Sequence, residues 1–175
     1  CRDVFLMQPA LKPHDAAGAA TPTLADRLAG IGSYFLFPAN LWPHKNHERL
    51  LQAFDVFRKS TGRNDALVLT GHPEGWKALA GKFAHLPVHH LGFVGDGDLR
   101  FLYRHALALA FFSLYEGFGM PLLEAFDANC PVICSNTTSL PEVGGDAVLS
   151  CDPRDVAAIA GLMERVVADG KLRAS

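Results

Sequence analysis

Short apolar runs alternate with stretches whose apolar residues recur every three or four positions, and the alternation holds from Tyr34 to nearly the end of the chain. Tyr34–Phe37, Ala66–Thr70, Val88–Val94, Leu107–Ser113 and Pro131–Ser135 have the length and composition of strands. Leu107–Ser113 is apolar at almost every position, which predicts a strand covered on both faces. Helices are predicted between them. One spans 47–60, with Leu50, Leu51, Phe54 and Phe57 on a single stripe, and others lie near 74–84, near 97–105 and over 119–128. Ser139–Leu140–Pro141–Glu142 has the capping-box form of a short helix start, with Gly144–Gly145 ending it, and Ala147–Ser150 reads as a last strand. Asp152 then reads as the cap of a helix opening with Pro153, whose stripe is Val156, Ile159, Met163, Val166 and Val167 and which stops at Gly170. Repeated strand–helix units with continuous apolar strands predict an α/β fold, a doubly wound parallel sheet, over residues 33–175. Residues 1–32 differ. Val4–Met7 reads as an edge strand, Pro9–Pro22 as loop and Thr23–Gly30 as a short helix, together a linker or interdomain segment.

Composition narrows the function classes. With 49% hydrophobic and 19% charged residues, 175 residues make one globular domain. A net charge of −2 and the lack of any lysine or arginine cluster argue against a nucleic-acid partner. The longest apolar run, Ala106–Leu114, falls far short of a bilayer span, and no secretory signal pattern precedes it, so a cytoplasmic location is expected. The four cysteines, at 1, 130, 134 and 151, complete no zinc pattern, and Cys130 and Cys134 are expected to be reduced core thiols.

Ligands of open parallel α/β sheets bind beyond the carboxyl ends of the strands, so the loops after each strand are where chemistry is expected. The loop Pro38–His47 carries Lys45 and, in the first turn of the following helix, Arg49. Cations oppose the positive N-terminal end of a helix, and an anion seated between them would remove the conflict; a solvated Lys45 is the alternative. Asn46 reads as the cap of that helix. The loop Tyr115–Gly119 brackets an aromatic between glycines just where a helix begins, with Pro121 in its first turn. Gly117 and Gly119 allow backbone amides to approach a ligand, and the bare amides of the helix suit a diphosphate. Glu116 precedes those amides, and Glu124 shares a stripe with Met120 and leans towards the N-terminus. Two acids flanking one anion site suit hydroxyls on either side of it, a sugar and a ribose; the plainer alternative is a capping Glu116 and a solvated Glu124. Gly95–Asp–Gly–Asp98 reads as a turn in which Asp96 or Asp98 caps a helix. His89 and His90, adjacent in a strand, point to opposite faces, and His44 and His47 read as solvated loop residues beside Lys45.

The segment S-L-Y-E-G-F-G-M-P-L-L-E-A, with Glu116 and Glu124, resembles the E-x7-E motif of glycosyltransferase family four. P-H-K-N-H resembles that family's phosphate-contacting lysine loop, and L-G-F-V-G-D-G-D-L and S-N-T-T-S-L-P-E-V-G-G-D-A-V follow its pattern. Four segments match in order over about residues 33–173, and the mannosyltransferase-like branch is nearest. The resemblance implies a Rossmann-like domain, the C-terminal half of a two-domain GT-B glycosyltransferase, that binds a nucleotide-sugar donor such as GDP-mannose or a UDP-sugar. It implies that Glu116 contacts the hydroxyls of the transferred hexose, and that Phe118, Gly119, Met120 and Pro121, with Gly117, offer backbone contacts. It further implies that Glu124 holds the ribose, Lys45 neutralises the diphosphate and backbone near Val94 meets the base. Transfer would proceed with retention and without a metal or other cofactor. The saccharide or lipid-linked acceptor would be held by a separate N-terminal domain, with peripheral membrane association open. One position departs from the pattern. The family places an arginine five residues before the lysine, where this chain has Asn40, which brings no charge; Arg49 or His44 would have to compensate. A GT-B epimerase or phosphorylase, and a non-catalytic interaction module, are the competing readings.

Overall fold

The computed structural model describes residues 20–169. Six strands, β1 (Tyr34–Pro38), β2 (Ala66–Thr70), β3 (Val88–His90), β4 (Ala108–Phe111), β5 (Val132–Ser135) and β6 (Leu149–Cys151), form one sheet in the order β3-β2-β1-β4-β5-β6. Every neighbouring pair is parallel. The helices are α1 (Pro22–Leu28), α2 (His47–Thr61), α3 (Trp76–Lys82), α4 (Asp96–His105), α5 (Met120–Asp127), α6 (Leu140–Gly144) and α7 (Val156–Ala168). Right-handed crossovers place α2 and α3 on one face of the sheet and α4 and α5 on the other. α7 returns to pack against α2.

The doubly wound parallel sheet expected from the sequence is therefore present. β1, β2, β4 and β5 are buried almost throughout because helices cover both faces, which is why they read as unbroken apolar runs. Phe35, Phe37, Phe54, Phe57 and Phe111 fill the core, with Phe35 edge-on to Phe57 and Phe37 edge-on to Phe111. The edge strand β3 stops at His90, short of the expected Val94, because Gly92 turns the chain at φ 61°. The last strand starts at Leu149 rather than Ala147, since Gly145–Ala147 form a 3-10 turn.

Several expected caps are corrected. Asp155, not Asp152, caps α7 by accepting the Ala158 N–H, while Asp152 accepts the Arg154 N–H one turn earlier. Gly95 occupies the cap position of α4, and Asp98 instead accepts the backbone N–H and the hydroxyl of Thr21, both at 2.9 Å. That clasp, with Leu24 buried in the core and Arg27 bonded to the Leu91 carbonyl, fixes α1 against the domain. Val4–Met7 and Gly170 lie outside the described residues. Cys130 and Cys134 are buried free thiols, as expected, and burial pushes both up to about 12. Among the described residues no helix is long and apolar enough to cross a membrane.

Candidate functional site

The strand order reverses direction between β1 and β4, and in such sheets the crevice at that point receives ligands. The loop after β1 delivers Lys45 and the loop after β4 delivers Glu116, and the two meet there. Lys45 Nζ lies 2.7 Å from Glu116 Oε1, with the side chains only 14% and 11% exposed. The ammonium also sits 5.2 Å from the centroid of the Phe111 ring at the end of β4. The two loops are tied by backbone as well, the Leu114 N–H donating to the His44 carbonyl at 2.7 Å. The anion that relieves the cation at the start of α2 is thus the Glu116 carboxylate, and Arg49 is bonded to the Asn46 side-chain oxygen at 3.1 Å.

Asn46 stands at the cap position of α2 but does not cap it with its side chain. Its backbone is left-handed, at φ 62°, and its Nδ2 donates to the carbonyls of Phe112 and Pro153 at 3.0 and 2.8 Å. It thereby pins the lysine loop to the end of β4. His47 is likewise not a solvated loop residue. It is 6% exposed, with its ring 4.6 Å from Phe37. His89 is exposed and His90 half-buried against Trp76, consistent with opposite faces.

Glu116 is held by the loop after β5. Its N–H donates to Thr138 Oγ1 and its carbonyl accepts from Ser139 Oγ, each at 3.1 Å. Ser139 therefore fixes the acidic loop rather than forming the expected capping box. Thr138 and Ser139 carry no motif of their own, and their place after an apolar run, before Leu140–Pro141–Glu142, is the available signal for them in the sequence.

α5 opens at Gly119, whose φ of 104° suits only glycine. A Cβ there would also lie 2.7 Å from Leu140 Cδ2. That atom ends a flexible side chain and can yield, so the backbone conformation sets the cost. Gly119→Ala is expected to lose about 1–3 kcal/mol of stability in chemical denaturation; a loss below 0.5 kcal/mol would show that the backbone relaxes freely. In the first turn, Pro121 has no N–H to offer, and the Leu122 N–H is taken by the Gly119 carbonyl at 3.0 Å. Any donors at the tip therefore come from the peptides up to Met120. Phe118 is half-buried and Gly117 exposed.

Glu124, one turn on, faces α4, where its Oε2 accepts from the Tyr103 hydroxyl at 2.9 Å. Asn40 lies in the loop just after β1, its Oδ1 accepting the His72 N–H at 2.8 Å. Gly71 permits this approach, since a Cβ there would lie 2.8 Å from both Asn40 Oδ1 and the Ala39 carbonyl oxygen. Val94 is half-buried against the core, following Phe93, which is 77% exposed.

An open six-stranded parallel sheet with polar loops gathered at its reversal point defines a Rossmann-like α/β domain. The chain belongs to the glycosyl transferases group 1 family, whose model matches residues 29–175. It is 39% identical over 145 residues to O-antigen chain mannosyltransferase B of Escherichia coli, an overlap covering 80% of this chain and 38% of that protein. The chain thus spans well under half the length of this relative. Among solved structures it resembles one from E. coli described as trehalose-6-phosphate bound with UDP-2-fluoro glucose. The TM-score is 0.78 at 14% identity, covering 91% of this chain and 43% of that one. The C-terminal domain of a glycosyl transferase group 1 family protein (LpcC) from Francisella tularensis matches with a TM-score of 0.70 at 23% identity, over 88% of this chain and 87% of that one.

Proposed function

We propose that the chain is the donor-binding half of a retaining, mannosyltransferase-like glycosyltransferase of the GT-B type, taking a nucleoside-diphosphate sugar such as GDP-mannose or a UDP-sugar. The observation that carries this reading is the Lys45–Glu116 contact across the reversal point of the sheet. A cation and an acid from loops on either side of one crevice suit a ligand with anionic and polyol parts. Lys45 neutralises the diphosphate, the tip of α5 faces it with its bare amides, Glu116 accepts from hydroxyls of the hexose and Glu124 from the ribose. Lysine and helix dipole take the place of a divalent cation. The base lies beside Val94. Asn40 supplies shape and a hydrogen-bonding amide where a cation would strengthen the site, and Arg49, anchored on Asn46, adds positive charge close by. An N-terminal domain holds the saccharide or lipid-linked acceptor, the protein works in the cytoplasm with peripheral membrane association open, and this chain by itself binds donor without turning it over. The mannosyltransferase relative favours this over an epimerase, a phosphorylase or an interaction module.

Calorimetry with GDP, UDP and their sugars tests it. One series is expected to bind the wild-type chain, and Glu124→Ala to weaken that binding roughly 10- to 100-fold, the loss of a hydrogen bond to a charged group. No binding by the wild type at millimolar nucleotide rejects the reading.

A further inference from the structure

Tyr103 is 1% exposed, and its ring lies in the seam between α4 and α5. Its hydroxyl meets Glu124 Oε2 at 2.9 Å. The neighbouring Arg100, one turn earlier on α4, reaches instead to Asp127 Oδ2 at 3.2 Å, one turn after Glu124 on α5. Polar contacts thus join the two helices, and in the one to Glu124 the donor is the uncharged Tyr103. A buried phenol needs a partner for its O–H, and this one has been given a carboxylate. Burial, and then the charge of Glu124, push the phenol well above its usual range, so at neutral pH it is a proton donor.

The last torsion of a glutamate is broad, so a carboxylate without a fixed neighbour samples many orientations. A donor bound to one oxygen removes that freedom. We propose that Tyr103 is a positioning residue for the nucleotide site. Its hydroxyl holds the Glu124 carboxylate in the orientation that accepts the ribose hydroxyls, while Tyr103 itself never touches the ligand. The inference rests on the assignment of Glu124 to the ribose made above and adds a residue that the motif itself does not contain. The signal in the sequence was a tyrosine beside Leu102 on the buried stripe of a predicted helix.

The test is calorimetry on the chain with the better-binding of GDP and UDP and with its 2′,3′-dideoxy analogue, which lacks both ribose hydroxyls. Tyr103→Phe keeps the ring and removes only the donor. It is expected to weaken the ribonucleotide about tenfold, the size of effect typical when a partner that orients a binding group is lost. It should leave the dideoxy analogue within about twofold of wild type, and add nothing further in a Glu124→Ala background. Glu124→Asp, whose shortened side chain withdraws the carboxylate from both the tyrosine and the ribose, is expected to show the same selective loss. Equal weakening of both nucleotides by Tyr103→Phe would assign the residue to packing and overturn the inference. So would a ribonucleotide affinity unchanged in Tyr103→Phe or in Glu124→Asp. A wild type that binds neither nucleotide overturns the donor-site reading and this inference together, which distinguishes that outcome from the others.

Discussion

Lys45→Ala is expected to weaken nucleoside-diphosphate binding about 100-fold, equivalent to about 3 kcal/mol, as for a lost charge-assisted contact in a partly desolvated site. Two effects contribute. On the proposed reading the ammonium no longer meets the diphosphate, and Glu116, bonded to Lys45 at 2.7 Å and only 11% exposed, becomes an uncompensated negative charge beside an anionic ligand. The double variant Lys45→Ala/Glu116→Ala separates them. If repulsion by Glu116 dominates, removing it restores much of the affinity; if loss of the cation dominates, the double variant binds no better than the single one. Calorimetry gives all three constants, and a single variant within threefold of wild type would detach Lys45 from the ligand.

Acid is expected to destabilise the fold through His47. Burial pushes this imidazole down to about 4 from an ordinary 6.5, with a hydrogen bond to the Ala39 carbonyl working against the shift and the nearby His90 and Lys45 adding to it. Its Nε2 makes no hydrogen bond among the described residues. The folded state therefore binds the proton more weakly than the unfolded chain does. The contribution of His47 is complete above pH 6.5 and is lost as the pH falls towards 4, by about 3 kcal/mol in full. Urea denaturation at pH 7.5 and 4.5 measures this, with His47→Leu as the reference. The wild type should lose about 2–3 kcal/mol more than the variant between the two pH values. Equal losses in both proteins would place the acid sensitivity elsewhere.

The strands were legible because parallel pairing under helices on both faces forces continuous apolar runs, as in β2 and β4. Lys45 and Glu116 were legible as loop residues after strands, and so was the expectation that they lie on one edge. Their contact with each other was not, because it depends on which strands become neighbours, and β1 meets β4 only through the sheet order. Caps were the weakest part for a related reason. Asn46 and Asp98 have ideal capping side chains, yet each bonds to a distant segment, Asn46 to Phe112 and Pro153, Asp98 to Thr21. Local rules rank partners within one turn and are blind to a carbonyl a hundred residues away. His47 differs from its expected solvated place for the same reason. Its neighbours in sequence are polar, whereas its neighbours in space include Phe37. Tyr103 and Glu124 sat in correctly predicted helices, but nothing local joins residues on two different helices.

Because β1 and β4 are adjacent, the pairing of Phe35 with Ala108 closes a loop containing two earlier strands and three helices. Such distant closures are entropically costly and come late when a chain refolds. The β1–α2–β2 crossover unit can condense early and give near-native helical signal, while Lys45 and Glu116 stay far apart until the middle of the sheet zips shut. Capacity to capture nucleotide should therefore return in the slowest refolding phase, after secondary structure is already in place.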